Sequence, residues 1–476
     1  MSTDPTNDDA FGSAVDLDAA LETLTAVVGG SGADEFDAFL TGRNGQYTRF
    51  AGDRIHQPQD IVEVQVMVRA VVNGHAARAS TSSLAGAAQA AASAASLARA
   101  IAAGSAAPGG QRVATRQTFG TGPAGPPRSM LWFDDTAAFD EAARVEQVRA
   151  AMTAAQEGGA TVAGMFGRAA TSLVTATSGG IERATLATEA LASCTFTVDD
   201  GTSHFVDVGR SSARLQLGLA IKTGLQQAAA STGRGDLEPG VYTVVLGPEA
   251  TAELLEFLPT FGFSGELAAA GVGLWARSRG RQAAAAAVDI ADDALADIGL
   301  PVGFDIESVP KQRVGLLSHG VVDSPVLDLH TARVLASSLP PARSTGHAHI
   351  AREEVPETRA ANIVMAAGTS TEAELIAGVD QGVYIQRFWY TRPVDTTATT
   401  ITGVTRDACF EIRGGRLGRP LRGMRFTQSV LEVLASVDGV GDVRRSSPVM
   451  NVWNGAITAP AIRAHGFRLG AAPTTP

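Results

Sequence analysis

Two of the eight histidines in this sequence, His347 and His349, lie at a spacing that metal sites use. On a strand, this spacing places both imidazoles on one face, and imidazole is a common ligand of zinc and related metals. A zinc site needs three or four convergent ligands, and a third would have to come from Glu353, Glu354 or a distant residue. Because the polar residues 344–346 precede the pair, a polar surface turn is the preferred interpretation.

Three carboxylates form a second candidate group. Glu249, Glu253 and Glu256 recur at helical spacing and would lie along one stripe of a helix. Three carboxylates on one face could hold a hard cation such as Mg²⁺ or Ca²⁺. Such a stripe is much more often the solvated face of an amphipathic helix, and this is the prediction that we adopt.

Neither nucleophilic catalysis nor nucleotide binding has a recognisable motif. There is no G-x-S-x-G sequence, and Cys194 and Cys409 lie outside any Cys/His signature. Cys409 lies in the strand-like run ACFEI, which predicts a buried, unreactive thiol. The residues Gly120–Gly125 match G-x-G-x-x-G, but Pro126 and Pro127 follow where a dinucleotide-binding helix would begin. This segment is therefore predicted to be a loop.

The run Arg387, Phe388, Trp389 and Tyr390 is the densest aromatic and basic cluster in the chain. It is a candidate contact for a peptide or for another subunit. Ordinary strand packing is the preferred alternative, because aromatic side chains suit the pleated, half-buried surface of a sheet.

Composition restricts the function further. The chain has 476 residues and a formal charge of −11, which argues against a surface for nucleic acid or anionic membranes. Two cysteines are too few for a disulfide framework or a cysteine-rich zinc site. The first residues are polar and acidic rather than typical of a signal peptide, and no apolar segment reaches the ~18–20 residues that span a bilayer. A cytoplasmic protein is expected.

The N-terminal half has the pattern of an α/β domain. Val62–Val68 alternates apolar and polar residues, as in a half-buried strand, and Asn73-Gly74 predicts a hairpin turn after it. The alanine-rich residues 84–103 predict a helix that packs closely against the sheet.

The C-terminal half begins with a strand and a helix that carry the three glutamates. Val241–Leu246 reads as a buried strand, Pro248 is suited to the first helical turn, and Pro259 ends the helix. Short apolar runs separated by Gly, Pro and Asp then predict a mainly antiparallel β domain. The predicted fold is therefore α+β, with a flexible tail (1–14), an α/β domain (15–235) and a β-rich domain (236–470).

Several ordered segments resemble the TldD/PmbA family and together cover nearly the whole chain. Arg49–Gln57 is similar to the family's RFANNRIHQ segment, and Gly240–Leu255 is similar to its G-x-Y-x-V-V-L-x-P-x-A-x-x-x-L-L strand and helix. Further similar segments follow in family order: Ser344–His347, Asn362–Gly368, Gly382–Tyr384, Thr402-Gly403, Phe410–Ile412, Gly414-Gly415 and Arg419-Pro420. The ordered set is more specific than any single segment.

This resemblance implies a two-lobed fold and a paired assembly. In the family, a TldD-like subunit binds zinc through a His-Glu-x-x-x-His motif and a later cysteine, whereas a TldE-like (PmbA) subunit lacks these ligands. Laid on the motif, the first histidine becomes Glu256, the glutamate becomes Phe257 and the second histidine becomes Phe261. The cysteine would fall within the residues 446–451, which contain none. The chain therefore resembles the TldE-like subunit.

The resemblance thus implies a non-catalytic, TldE-like subunit of a zinc metalloprotease complex that cleaves unfolded or leader peptides. Zinc is expected in a TldD-like partner, with no cofactor in this chain. The alternative is a stand-alone, homodimeric peptide-binding protein with a vestigial protease fold. A third hypothesis, ranked last, is an enzyme that binds a metal elsewhere, through His347 and His349.

Overall fold

The computed structural model describes residues 11–52, 54–104, 128–259, 261–350, 356–448 and 455–471. The predicted tail therefore lies mostly, and the Gly120–Gly125 loop entirely, outside the described residues. The α-helices are α1 Leu17–Val28, α2 Ala87–Gly104, α3 Asp134–Ala137, α4 Glu141–Glu157, α5 Leu217–Ala230, α6 Pro248–Leu255, α7 Gly265–Ala269, α8 Gly273–Ser278, α9 Leu329–Val334, α10 Glu372–Ala377 and α11 Val430–Ala435.

The strands run from the N-terminal region to the end of the described chain. They are β1 Glu35–Ala51, β2 Arg54–Val72, β3 His75–Thr81, β4 Thr161–Thr177, β5 Glu182–Val198, β6 Gly201–Gly209, β7 Gly240–Leu246, β8 Ile290–Asp292, β9 Val314–Ser318, β10 Val321–Val322, β11 Ala348–Ile350, β12 Pro356–Thr358, β13 Asn362–Met365, β14 Gln381–Asp395, β15 Thr400–Arg413, β16 Arg416–Pro420, β17 Arg425–Ser429, β18 Gly439–Pro448 and β19 Ala456–Leu469.

The N-terminal strands form an antiparallel sheet in the order β3-β2-β1-β4-β5-β6. The predicted turn between β2 and β3 is confirmed, and both Asn73 (φ 51°) and Gly74 (φ 79°) adopt the left-handed conformation that a tight hairpin needs. The buried residues of α2 are all alanines that recur on one face of the helix, so the helix can approach β2 and β3 closely. One edge of this sheet is β6, and this edge forms part of the site.

The C-terminal strands form a larger sheet, in which β7 pairs with both β14 and β19. The strands β19, β17, β15, β14 and β7 therefore form a closed ring. Most pairs are antiparallel, as predicted, but β13–β19 and β14–β7 are parallel. The predicted α+β fold class is confirmed.

Helix α6 connects this ring to the first sheet. Gly247 precedes it with extended backbone, Pro248 occupies its first turn, and the regular helix ends at Leu255, before Pro259. Leu254 and Leu255 are fully buried in the C-terminal core. Within the described ranges, no helix has both the length and the apolar character required to cross a membrane.

Candidate functional site

The glutamates of α6 line a cleft of about 180 Å³, which we call the glutamate cleft. His204 of β6 and Arg387, Trp389 and Tyr390 of β14 line it as well. The cleft therefore lies where the edge of the N-terminal sheet meets the C-terminal domain.

The prediction that the glutamate stripe is a solvated face is wrong. Glu249 is only 5% exposed, and Glu253 and Glu256 are half-buried. The reason is that α6 packs on both sides. Its leucines lie in the C-terminal core, whereas Glu249 contacts β6 and Glu253 contacts Thr391 of β14. Sequence periodicity cannot distinguish a face covered by another domain from a face covered by water.

Glu249 binds the edge of the N-terminal sheet through both carboxylate oxygens. Its Oε2 lies 2.7 Å from His204 Nδ1, and its Oε1 accepts a hydrogen bond from Val206 N–H at 3.1 Å. Burial acts to raise the pKa of Glu249, but the attraction of His204, helped by nearby arginines, outweighs it. The net pKa lies below its usual value, so Glu249 is ionised at neutral pH.

The other side of the His204 ring contacts Ser193 of β5. His204 Nε2 lies 3.3 Å from Ser193 Oγ. Ser193 faces Val206 in the β5–β6 pair, so Ser193 and His204 are diagonal neighbours on one face of the sheet. The result is a hydrogen-bonded chain from Ser193 through His204 to Glu249. Glu249 was considered only as one of three carboxylates on a helix face, and Ser193 and His204 were not predicted as site residues. No sequence motif connects them.

Gln386 of β14 also binds the edge strand β6. Its Oε1 accepts a hydrogen bond from His204 N–H at 3.0 Å, and its Nε2 donates to the His204 carbonyl at 3.0 Å. The same Nε2 donates to Gln227 of α5 at 2.8 Å. The side chain of Gln386 thus takes the place that a neighbouring strand would occupy at this point of the edge.

Glu253 has a different environment from Glu249. Burial raises its pKa well above the usual value, against the opposing charge of Arg387 and with support from the neighbouring glutamates. It accepts a hydrogen bond from Thr391 Oγ1 at 3.3 Å. The pKa values of these two glutamates, one helical turn apart, are therefore shifted in opposite directions, and Glu249 is the one that contacts a histidine.

The predicted contact run Arg387–Tyr390 divides between cleft and core. Arg387 is buried and forms an ion pair with Asp407, and Phe388 packs in the aromatic core at 4.4 Å between ring centroids from Phe426. Trp389 and Tyr390 are 39% and 69% exposed. Strand packing thus accounts for Phe388, whereas the other three residues line the cleft.

The exposed aromatics lie beneath arginines in an irregular stretch of β14. The Arg406 guanidinium lies 4.3 Å from the centroid of the Trp389 ring, and that of Arg392 lies 5.1 Å from the Tyr390 ring. The pairing with β15 shifts register here, and Tyr390 has a φ of 58°. A large residue in this conformation is strained, and such strain often occurs at functional sites.

A second and larger cavity, of about 800 Å³, adjoins the cleft, and we call it the arginine cavity. His204, Arg387 and Trp389 line both spaces. The cavity is also lined by Arg43, Tyr47, Arg49, His56, Glu63, Ser193, Thr195 and Arg406. Sequence reasoning missed it, because its wall combines strands β1, β2, β5 and β6 with β14 and β15.

The three positions that match the zinc motif lie in two different environments. Glu256 lines the glutamate cleft. Phe257 and Phe261 are 7% and 1% exposed in the C-terminal core, with ring centroids 6.4 Å apart. Among the residues that the structure describes, no three histidine, cysteine, aspartate or glutamate side chains are grouped as metal ligands.

His347 is not in a polar surface turn, so that prediction is wrong. It is 1% exposed, with Nε2 at 3.0 Å from Asp292 Oδ1 and Nδ1 at 2.9 Å from Thr345 Oγ1. His349 Nε2 lies 3.2 Å from Arg359 Nη1, and burial and nearby cations lower the pKa of His349 to about 4. The proposed third ligands, the residues 353–354, lie outside the described part of the chain.

Comparisons with known proteins agree with this architecture. The model of the PmbA/TldA metallopeptidase C-terminal domain matches residues 239–471, and that of PmbA/TldA metallopeptidase domain 1 matches residues 36–102. A metalloprotease TldD homolog of Haemophilus influenzae is 27% identical over 226 residues, which are 47% of this chain and 45% of the homolog. The chain thus spans about half the length of the curated relatives that it matches.

Two solved structures share the fold over most of the chain. TldE from Thermococcus kodakarensis has a TM-score of 0.79 at 16% identity and covers 95% of this chain and 100% of its own. A proposed modulator of DNA gyrase from Thermotoga maritima has a TM-score of 0.74 at 16% identity, over 92% of this chain and 96% of its own. Together with the two domain matches, these similarities show that the chain belongs to the TldD/PmbA family.

Proposed function

We propose that this chain is the zinc-free, TldE-like subunit of a TldD/TldE-type metalloprotease complex that cleaves unfolded or leader peptides. The observation that carries the proposal is the occupancy of the motif positions by Glu256, Phe257 and Phe261. The two phenylalanines pack in the core and have no lone pairs for a metal or a proton. The missing cysteine at residues 446–451 supports the same assignment.

In this proposal, the catalytic metal belongs to the partner subunit. Zinc in a peptidase polarises the scissile carbonyl and activates a water molecule. This chain would supply the wall of the peptide-binding chamber in a cytoplasmic complex. The exposed rings of Trp389 and Tyr390, with arginines above them and glutamates opposite, offer apolar and charged contacts for an extended peptide.

Peptide binding by addition of a strand is disfavoured at one edge. Gln386 and Glu249 already bind the outward backbone groups of His204 and Val206 on β6. The side-chain contacts of the cleft are therefore the stronger candidates for peptide recognition there.

Co-expression tests the proposal. The chain would be produced alone and together with a TldD-like protein of the same genome that has an intact His-Glu-x-x-x-His motif. We expect co-purification, zinc only in the partner, and cleavage of fluorescently labelled casein only by the mixture. Stoichiometric zinc in this chain alone would contradict the proposal. A homodimer that binds casein but does not bind the TldD-like protein would instead favour the stand-alone alternative.

A matched pair of variants then locates the peptide contact. The double variant Trp389→Ala/Tyr390→Ala should slow casein cleavage by the mixture without preventing co-purification. Leu417→Ala, at another exposed apolar residue, should leave the rate unchanged. Equal rates for both variants would exclude these aromatics from peptide binding.

A further inference from the structure

We propose that Ser193, His204 and Glu249 form a nucleophile–base–carboxylate triad that hydrolyses carboxylic esters. The proposal concerns this chain alone and does not depend on a zinc-bearing partner. It rests on the two contacts of the His204 ring, 3.3 Å to Ser193 Oγ and 2.7 Å to Glu249 Oε2. Triads are recognised by such geometry and roles rather than by sequence position.

The two contacts assign the roles of the three residues. Ionised Glu249 can only accept a hydrogen bond, so His204 must donate to it from Nδ1–H. Nε2 is then the ring atom that contacts the hydroxyl of Ser193, and it takes the role of general base. Val206 N–H holds the second oxygen of Glu249 at 3.1 Å, which fixes the carboxylate and the orientation of the ring.

Ser193 is accessible to a small substrate. It is half-buried and lines the arginine cavity together with His204. The volume of about 800 Å³ lies within the range of small-molecule sites. Ser193 lies within a strand rather than on the exposed turn of a nucleophile elbow. A substrate must therefore reach its hydroxyl through this cavity.

Arginines supply the positive charge that the reaction needs. Ser193 lies between two paired strands, with Met165 on one side and Val206 on the other. Pairing within the sheet therefore occupies the backbone around Ser193. In other hydrolases, free backbone N–H groups beside the nucleophile form the oxyanion hole. Arg387 and Arg406 line the same cavity and can stabilise an oxyanion electrostatically.

The proposed reaction needs no oxidant or cofactor. Ser193 Oγ attacks the ester carbonyl carbon while its proton moves to His204 Nε2. The bond between the carbonyl carbon and the alkoxy oxygen breaks, His204 protonates the leaving oxygen, and an alcohol departs from the acyl-serine. Water then attacks the acyl carbon and gives a proton to His204. The carboxylic acid leaves, and Ser193 regains its proton.

The competing explanation is that the three residues only join β6 to the C-terminal domain. A structural linkage would not make the serine reactive, whereas a triad would. Thr197 provides an internal control, because it lies on the same strand and the same sheet face as Ser193 but lines neither the arginine cavity nor the glutamate cleft.

A fluorophosphonate probe, which modifies activated serines, separates the two explanations. The full chain, purified alone and treated with EDTA, should take up one label, mapped to Ser193 by mass spectrometry. It should also hydrolyse p-nitrophenyl acetate. Ser193→Ala should abolish both, Glu249→Gln should slow both by roughly 100-fold, and Thr197→Val should change neither.

Several outcomes would overturn the proposal. These are no label on the folded protein, label at another residue, or equal labelling of Glu249→Gln and the unchanged chain. Circular dichroism spectra of each variant would establish folding. The experiment is done with zinc chelated and without the partner. A negative result therefore contradicts the triad but not the proposed subunit function, and a negative co-expression result contradicts the subunit function but not the triad.

Discussion

Among the residues that the structure describes, two buried histidine–carboxylate pairs differ in what the second nitrogen of the histidine ring contacts. In the pair His204–Glu249, the other nitrogen contacts Ser193 at the wall of a cavity. In the pair His347–Asp292, the other nitrogen contacts Thr345 inside the C-terminal domain. The same chemical pair can therefore lie at the wall of a cavity or be enclosed by protein.

The carboxylates differ in their remaining partners as well. Asp292 accepts backbone hydrogen bonds from Ala361 at 2.5 Å and Asn362 at 3.1 Å, and Lys311 lies near enough to attract it. Its partners all belong to the C-terminal half of the chain. Glu249 instead binds β6 of the N-terminal sheet. We infer that the Asp292 pair stabilises one domain and the Glu249 pair connects two.

The largest expected effect follows from removal of Asp292. Asp292→Ala leaves two backbone N–H groups and Lys311 without their carboxylate in a fully buried site. Breaking a buried charge pair in this way costs about 3–5 kcal/mol of the free energy of unfolding. Urea unfolding would measure it. A loss no larger than that of Glu249→Gln would contradict the distinction between the pairs.

Glu249→Gln should have a smaller effect on stability. The amide can still accept from Val206 N–H and keeps the volume of the glutamate, so the expected loss is about 1–2 kcal/mol. Hydrogen exchange should accelerate in β6 rather than in the C-terminal core. Glu253→Gln is the control, since burial already favours its neutral form, and exchange in β6 should not change.

The comparison of the two histidine–carboxylate pairs can be tested by the pH dependence of stability at a third carboxylate, Asp207, which contacts no histidine in the described structure. Burial raises the pKa of Asp207 to about 7, against the charge of Arg445. Between the usual pKa of an aspartate and this raised value, Asp207 keeps its proton in the folded chain but loses it in the unfolded chain. Asp207 therefore lowers stability as pH rises from roughly 4 to about 7.

Asp207→Asn should remove this contribution. As pH rises through that interval, the urea concentration at the unfolding midpoint should increase for the variant relative to the unchanged chain. The depressed pKa values of Glu249 and Asp292 act in the opposite direction and are present in both proteins. A constant difference between the two midpoints would contradict the raised pKa of Asp207.

The smallest effect on stability is expected for Trp389→Ala. The ring is 39% exposed, so its truncation should change the free energy of unfolding by no more than about 0.5–1 kcal/mol. A thermal shift as large as that of Glu249→Gln would show that Trp389 holds the two domains together rather than facing a ligand.

The local elements could be predicted because short-range physics determines them. Asn73-Gly74 needs positive φ, and Pro248 suits a first helical turn, so both signals can be read from adjacent residues. The glutamate stripe could not be interpreted correctly, because the partner of Glu249 is His204, 45 residues away and on another sheet. Ser193 was missed because its contact with His204 depends on the pairing of β5 with β6, which no motif in the sequence marks.

The side chain of Gln386 has a consequence for solubility. An uncovered edge strand offers unpaired backbone groups to any other extended chain, and proteins commonly protect such edges from aggregation. By binding both backbone groups of His204, Gln386 blocks one point of the β6 edge against a second molecule. At His204, this glutamine therefore leaves neither backbone group for a second extended chain to bind.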